Sequence, residues 1–257
     1  MFLLLKNIVK NFDNHIGGVM TYAYSKIIHM RAKSFLKNFS NSNFLTYYNS
    51  DKNYLSELSH KYSSDKGSVE DERGVWGWQA HTYTDFYSDL FDHCKESVKL
   101  VFECGIGSND PSIPSNMTVK GKPGASLRMW KDYFCNSQIY GADLDKNVLF
   151  SEDRIKTFYV DQLNKDTIDV MWSNIQKKDF DLIIDDGLHT HEAAITLFQN
   201  SFKILKKNGL YIIEDLMGQE LIKTFIFLKE YKPKVIFLNK KKNSTVNNNL
   251  IVIKKNF

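Results

Sequence analysis

From residue 98 onward the chain repeats one pattern: a short apolar run that ends in glycine or carboxylates, then a longer amphipathic stretch. Strands joined by crossover segments of that length pair in parallel, and a parallel sheet is covered on both faces. The pattern therefore predicts an α/β fold with a doubly wound sheet. VKLVFECGIG (98–107) reads as a first strand entering a glycine turn, and SQIYGADLD (137–145) as a second strand ending in acids. RIKTFYVDQ (154–162) and FDLIIDDG (180–187) read as the third and fourth, with Asp161 at the end of the third. GLYIIEDL (209–216) is the next strand, after an amphipathic segment from Glu192 to Lys207. LIKTFIFLKEY (221–231) has helical periodicity, and KVIFLNK and NLIVIKK flank an Asn/Lys-rich turn as an antiparallel C-terminal hairpin would. Residues 96–257 thus form the sheet domain. Residues 1–95 are rich in Tyr, Ser, Asn and charge, without strand alternation. They are expected to be helices and loops covering the sheet's carboxyl edge, where open α/β sheets bind ligands.

Composition narrows the functional classes. The 34 basic and 30 acidic residues of this 257-residue chain leave a net charge of +4, too small and too dispersed for a nucleic-acid surface. The densest run, Lys240-Lys241-Lys242, falls in the hairpin turn and reads as a solvated loop. Three cysteines, Cys94, Cys104 and Cys135, match neither a zinc site nor a disulfide framework, so they read as reduced thiols of a cytoplasmic protein. No window approaches the roughly 18 apolar residues of a membrane span. The opening Met1-Phe2-Leu3-Leu4-Leu5 is a poor signal peptide, with too short an apolar run and no small-residue cleavage site. Residues 1–29 carry little signal. Ile16-Gly17-Gly18-Val19 is either a Gly-Gly turn or the product of a homopolymeric guanine run that switches the gene by slippage.

Glu103-Cys104-Gly105-Ile106-Gly107 follows the first strand and has the form of a nucleotide-binding E-x-G-x-G turn, whose glycines let backbone approach a ligand closely. Asp110 stands where the dinucleotide fingerprint has its third glycine, which disfavours NAD. Asp143 and Asp161, on the next two strands, add a carboxylate for ribose hydroxyls and one for an adenine amine, so the set describes an adenosine ligand. Asp145 is the rival to Asp143. Asp185-Asp186-Gly187-Leu188-His189 and Glu214-Asp215 end neighbouring strands, about 4.8 Å apart in a sheet. Asp186, Glu214 and Asp215 could therefore reach one ion, and an oxygen-only set suits Mg²⁺ or Mn²⁺. Helix capping or pairing with lysines is the alternative use of these acids.

The glycine turn followed by two acids resembles the class I S-adenosylmethionine-dependent methyltransferases, over about residues 98–257. The DDGLH and IED segments narrow the resemblance to the metal-dependent sugar O-methyltransferases of the macrocin and mycinamicin type and to capsular heptose O-methyltransferases. That resemblance implies a Rossmann-like sheet, S-adenosylmethionine held at Glu103, Gly105, Gly107, Asp143, Asp161 and Asp185, and a metal at Asp186, Glu214 and Asp215. It also implies His189 as general base. Leu188 departs from the family's serine, and His191 is an additional histidine on the substrate side, so the resemblance leaves open which of the two imidazoles, His189 or His191, is the base. KYSSDKGS (61–68) and HTYTDFY (81–87) resemble the family's Y-G-T-D-K and H-x-Y-T-x-x-Y segments. Ser64, Asp65 and Lys66 transfer on the cofactor side, and His81 and Tyr83 on the substrate side. PGASLRMWKDYF (123–134) resembles its G-x-S-L-R-M-W helix opening. There Ser126 is expected as N-cap, Arg128 as a charge contact to the cofactor carboxylate, and Met129, Trp130, Tyr133 and Phe134 in the core.

The expected reaction is methyl transfer to a sugar hydroxyl whose neighbour is chelated by the same ion, with Asp186 on the metal and His189 taking the proton. The expected acceptor is a nucleotide-activated sugar such as a GDP-heptose for bacterial capsule. A phosphoramidate or natural-product diol is the alternative, as is a non-catalytic cofactor-binding protein that recognises a partner. Nucleic-acid amines are disfavoured because no N-P-P-Y or D-P-P-Y segment is present. A homo-oligomer is expected from the resemblance.

Overall fold

In the computed structural model, residues 27–28, 30–36, 44–47, 52–67, 77–238 and 247–256 are described. The Gly17-Gly18 segment, Ser68 and the Lys240-Lys241-Lys242 turn lie outside the described residues. Chain order runs through α1 (30–36), β1 (Phe44–Tyr47), α2 (Tyr54–Tyr62), α3 (Tyr83–Phe91), β2 (Leu100–Cys104), α4 (Ala125–Tyr133) and β3 (Gln138–Asp143). It continues through β4 (Ser151–Glu152), β5 (Ile155–Tyr159), α5 (Lys165–Ile175), β6 (Phe180–Asp185), α6 (His191–Ser201), β7 (Leu205–Glu214), α7 (Gly218–Leu228), β8 (Lys234–Leu238) and β9 (Asn249–Lys254).

The strands form one sheet in the order β1-β8-β9-β7-β6-β2-β3-β5-β4. β7, β6, β2, β3 and β5 are mutually parallel, whereas β9 runs against both β7 and β8. The C-terminal hairpin is thus inserted with its second strand innermost. Alternation along each strand divides the core in two. Phe102, Tyr140, Ile183 and Tyr211 pack on one face with α5, α6 and α7. Val101, Ile139, Leu182 and Ile212 pack on the other with Leu55, Tyr87 and Trp130 from α2, α3 and α4. A sheet buried on both faces is what the near-continuous apolar runs require.

Two features depart from the expected order. The N-terminal region contributes a strand, β1, which pairs in parallel with β8 at the sheet edge, so this region is not helices and loops alone. β7 begins at Leu205, inside the stretch expected to finish the preceding helix, because α6 ends at Ser201 and the exposed Lys207 and Asn208 lie on the strand. The chain winds outward from β2 through β3 to β5 and then returns to β6 on the other side of β2. That reversal opens a crevice at the carboxyl ends of β2 and β6, the place where such sheets bind ligands.

Candidate active site

A cavity of about 770 Å³ occupies this crevice, and it is bounded by two differently built walls. The first is the glycine turn. Gly105 has φ +87°, and a Cβ there would overlap the backbone carbonyl of Asp186, so neither the conformation nor the space admits a side chain. The amides of Ile106 and Gly107 donate to one oxygen of Asp143 at 2.9 and 3.2 Å, and the amide of Asp145 donates to the other at 3.0 Å. Burial pushes the Asp143 pKa up, against the pull of these amides. Asp145 instead accepts from the Ser108 hydroxyl at 2.6 Å and caps a short helical turn through Asn147. It fixes the loop, whereas Asp143 lines the cavity. Asp161 also lines the cavity, but it lies in the turn beyond the end of β5 and accepts from the Leu163 amide at 3.0 Å.

Several expected cofactor residues have other partners. Arg128 pairs with Glu152 at 2.7 Å, donates to the Pro123 carbonyl and stacks on Phe150, outside the cavity lining. A helical residue two positions beyond Ser126 points some 200° around the axis, which explains the divergence. Ser126 does line the cavity, but as a residue within α4; its N-cap is Gly124 in the left-handed conformation. Asp185 turns away from the cavity and accepts from Gln162 Nε2 at 2.5 Å; burial pushes its pKa up to about 6. Glu103 is fully buried behind the lining, where its Oε2 accepts from Trp130 Nε1 at 2.6 Å. Trp130 is therefore both core and a donor to the turn.

The second wall is acidic. Asp186, His189 and Asp215 each present a ligand atom within 4.8 Å of the others, which makes them the described residues able to share one cation. Both His189 and Asp215 hold positive φ, at +57° and +66°, a conformation costly for non-glycine residues that clusters at functional sites. His189 Nδ1 is buried, and its Nε2 stands 4.0 Å from Asp215 Oδ2. Glu214, expected in the metal set, lines the same cavity, where one of its oxygens accepts from Tyr87 Oη at 2.6 Å and the other from Lys66 Nζ. Lys66 Nζ also contacts Asp186 at 2.7 Å and Glu103 at 3.3 Å. Burial and the neighbouring carboxylates raise the Glu214 pKa to about 8 against the pull of Lys66.

His81 Nε2 and Tyr83 Oη both lie 3.2 Å from Asp215 Oδ1, and the His81 and Tyr83 rings stack at 4.6 Å. Burial alone would raise the Asp215 pKa, but the charges and hydrogen bonds around it, His81 foremost, bring it down to about 2. His191 is not at the cavity. As the first residue of α6 it faces α7, with Nδ1 3.1 Å from Thr224 Oγ1 and its ring against Phe227. Of the two histidines in the DDGLHTH stretch, His189 alone lines the cavity.

Sequence reasoning passed over Gln162 and Trp78, and it included Tyr87 in the HTYTDFY segment without giving it a role. Gln162 bridges Asp185 and the Leu188 amide, the latter at 2.9 Å. Trp78 lines the cavity and donates to Asp65 at 2.9 Å. Tyr87 lies four residues after Tyr83, hence on the same face of α3, and that spacing was the available signal.

No family model matches the chain. The 8-demethyl-8-alpha-L-rhamnosyl tetracenomycin-C 2'-O-methyltransferase of Streptomyces olivaceus is 32% identical over 162 residues, which cover 63% of this chain and 37% of that protein. The mycinamicin VI 2''-O-methyltransferase of Micromonospora griseorubida is 33% identical over 163 residues, covering 63% and 36%. Among solved structures, the MycE methyltransferase of the mycinamycin biosynthetic pathway, in complex with Mg, SAH and mycinamycin VI, aligns with a TM-score of 0.56 at 26% identity. That alignment covers 80% of this chain and 56% of MycE. The homologues are thus macrocin- and mycinamicin-type sugar O-methyltransferases, and the fold is that of the class I methyltransferases. The chain spans little more than a third of the length of the curated relatives it matches.

Proposed function

We propose that this chain is an S-adenosylmethionine-dependent O-methyltransferase that uses Mg²⁺ or Mn²⁺ to methylate one of two neighbouring sugar hydroxyls. The observation that carries the proposal is a single cavity lined by Asp143, Asp161 and the glycine turn on one side and by Asp186, His189 and Asp215 on the other. The presence of SAH and Mg in MycE complexes supports the same pairing of ligands.

On this reading Asp143 receives the ribose hydroxyls and Asp161 the adenine amine, while Gly105 and Gly107 let the turn close on the methionine portion. Ser64 and Ser126 border that portion, and Glu103 draws its amino group, through water where it does not reach directly. Asp186 and Asp215 supply oxygens for the ion, with His81 and Tyr83 fixing the Asp215 carboxylate and closing the acceptor side. Such an ion lowers the pKa of chelated hydroxyls and orients them toward the sulfonium methyl group. His189 Nε2, its other nitrogen buried, takes the hydroxyl proton, and Asp215 stabilises the imidazolium that results.

The acceptor is a saccharide carrying vicinal hydroxyls. A nucleotide-linked sugar such as a GDP-heptose for bacterial surface polysaccharide is the finer form of this proposal, set against antibiotic glycosides of the kind named for the relatives. Three free cysteines fit the reducing cytoplasm where such sugars are made, and no helix among the described residues is long and apolar enough to cross a membrane.

Titration calorimetry with S-adenosylhomocysteine, in Mg²⁺ and in EDTA, tests the proposal when repeated with nucleotide sugars and with glycosides. Cofactor-product binding in both buffers and acceptor binding in Mg²⁺ alone is the expected result. Failure of S-adenosylhomocysteine to bind overturns the proposal, and binding of it without transfer to any sugar returns the chain to a non-catalytic role.

A further inference from the structure

Residues 108–124 join the glycine turn to α4 without helix or strand. Ordered loops of that length are uncommon inside a compact domain and usually serve a ligand. This one is fixed by its own contacts. The Met117 amide donates to the Ser108 carbonyl at 2.8 Å, and Asn109 Nδ2 donates to the carbonyls of Thr118 and Gly121. Asn116 donates through Nδ2 to the Ile113 carbonyl at 2.7 Å, while its Oδ1 accepts from the Thr118 amide at 3.1 Å. The ends meet where the Gly124 amide donates to the Ile106 carbonyl at 2.7 Å, so the segment closes as a compact Ω-type loop. Its consecutive residues Ile113, Pro114, Ser115, Asn116 and Met117 line the cavity, and the function proposed above gives them no role.

Met117 is seated between two glycines. A Cβ on Gly107 would stand 2.5 Å from Met117 Sδ, and one on Gly121 would stand 2.3 Å from Met117 Cγ, so a side chain at either position would displace it. The Gly107 amide donates to Asp143 at 3.2 Å, which puts the thioether beside the carboxylate proposed for the ribose hydroxyls. Asn109 and Asn116 use their side-chain amides within the loop, and the apolar surface that the loop offers the cavity comes from Ile113, Pro114 and Met117. A thioether is polarizable and adaptable, and it suits the C–H face of a ring. We infer that residues 113–117 are a built part of the cofactor site that covers the nucleoside of a 5′-thioadenosine ligand, with Met117 as the contact residue. This rests on the proposed seating of the ribose at Asp143 and extends it: the hydroxyl edge goes to the carboxylate and an apolar face goes to Met117. The contact is to the nucleoside, so it serves S-adenosylhomocysteine and 5′-methylthioadenosine alike, although the second lacks the amino-acid end.

Nuclear magnetic resonance of the full chain carrying methyl-labelled methionine tests this, with S-adenosylhomocysteine as the probe and Met117→Leu assigning the Met117 signal. Nuclear Overhauser contacts between the Met117 methyl group and the ribose protons of the bound probe are expected. Calorimetry on the same chain is expected to show Met117→Ala weakening S-adenosylhomocysteine and 5′-methylthioadenosine by one common factor of about tenfold, and Met117→Leu staying within about threefold of wild type. Val119→Ser, on the same loop but 79% exposed and outside the cavity lining, is expected to leave both affinities unchanged. Bound S-adenosylhomocysteine without a contact to Met117 overturns the inference. So does a loss in Val119→Ser equal to that in Met117→Ala, or a loss in Met117→Ala that spares 5′-methylthioadenosine. Should Met117→Ala not fold, the contacts in the wild-type chain decide alone. Failure of the wild-type chain to bind S-adenosylhomocysteine removes the cofactor part of the proposed function and this inference together, whereas binding without the Met117 contact removes the inference only.

Discussion

The two walls of the cavity are held by different kinds of contact. The cofactor-side wall is local: Asp143 is fixed by the amides of Ile106, Gly107 and Asp145, all within 37 residues of it. The acidic wall is assembled across the chain, with Lys66 reaching Asp186 and Glu214 over separations of 120 and 148 residues, and Tyr87 reaching Glu214 over 127. Backbone donors come with the fold, whereas side-chain donors must be delivered by a separate segment. The glycine-turn wall is therefore self-supporting, and the acidic wall depends on residues 59–67 and 77–87 being docked.

The largest separation of the two walls is expected from His189→Ala, which lowers kcat by about 10²–10⁴-fold while the affinity for S-adenosylhomocysteine stays at the wild-type value. Steady-state rates beside calorimetry check it, and a parallel loss of product affinity would mean that the walls are not independent. Gly105→Ala strikes the seam between them, because the new methyl group meets the Asp186 carbonyl at a positive φ. It is expected to cost about 2–4 kcal/mol of stability and to abolish product binding, read by denaturant unfolding and calorimetry. Tyr87→Phe removes one donor to the buried Glu214 and should cost about 1–2 kcal/mol without altering product affinity. Arg128→Ala breaks a partly exposed pair with Glu152 and should cost less than about 1 kcal/mol, again with product affinity unchanged. Weakened product binding in Arg128→Ala would restore it to the cofactor wall.

The same division explains what the sequence made legible. Strand ends marked by Gly105, Asp143, Asp186 and Glu214 were readable because apolar runs stop there and chemistry-bearing residues follow. The direction in which a side chain leaves a helix was not. Arg128 and His191 have the right chemistry beside the right elements, yet they face Glu152 and Thr224. The strand β1 was hidden because four residues among Asn and Ser acquire their structure only by pairing with β8. Glu214 was correctly placed at a strand end, but its engagement by Lys66 and Tyr87 depends on side chains more than a hundred positions away.

Gln162 connects the walls, since its amide nitrogen donates to Asp185 and its amide oxygen accepts from the Leu188 backbone. A Cβ at Gly187 would occupy the place of that same side chain. Positions 162 and 187 consequently share one volume, and neither can drift freely during divergence. A chain with a side chain at 187 must shorten residue 162 and anchor its aspartate by other means, so the two positions should change together.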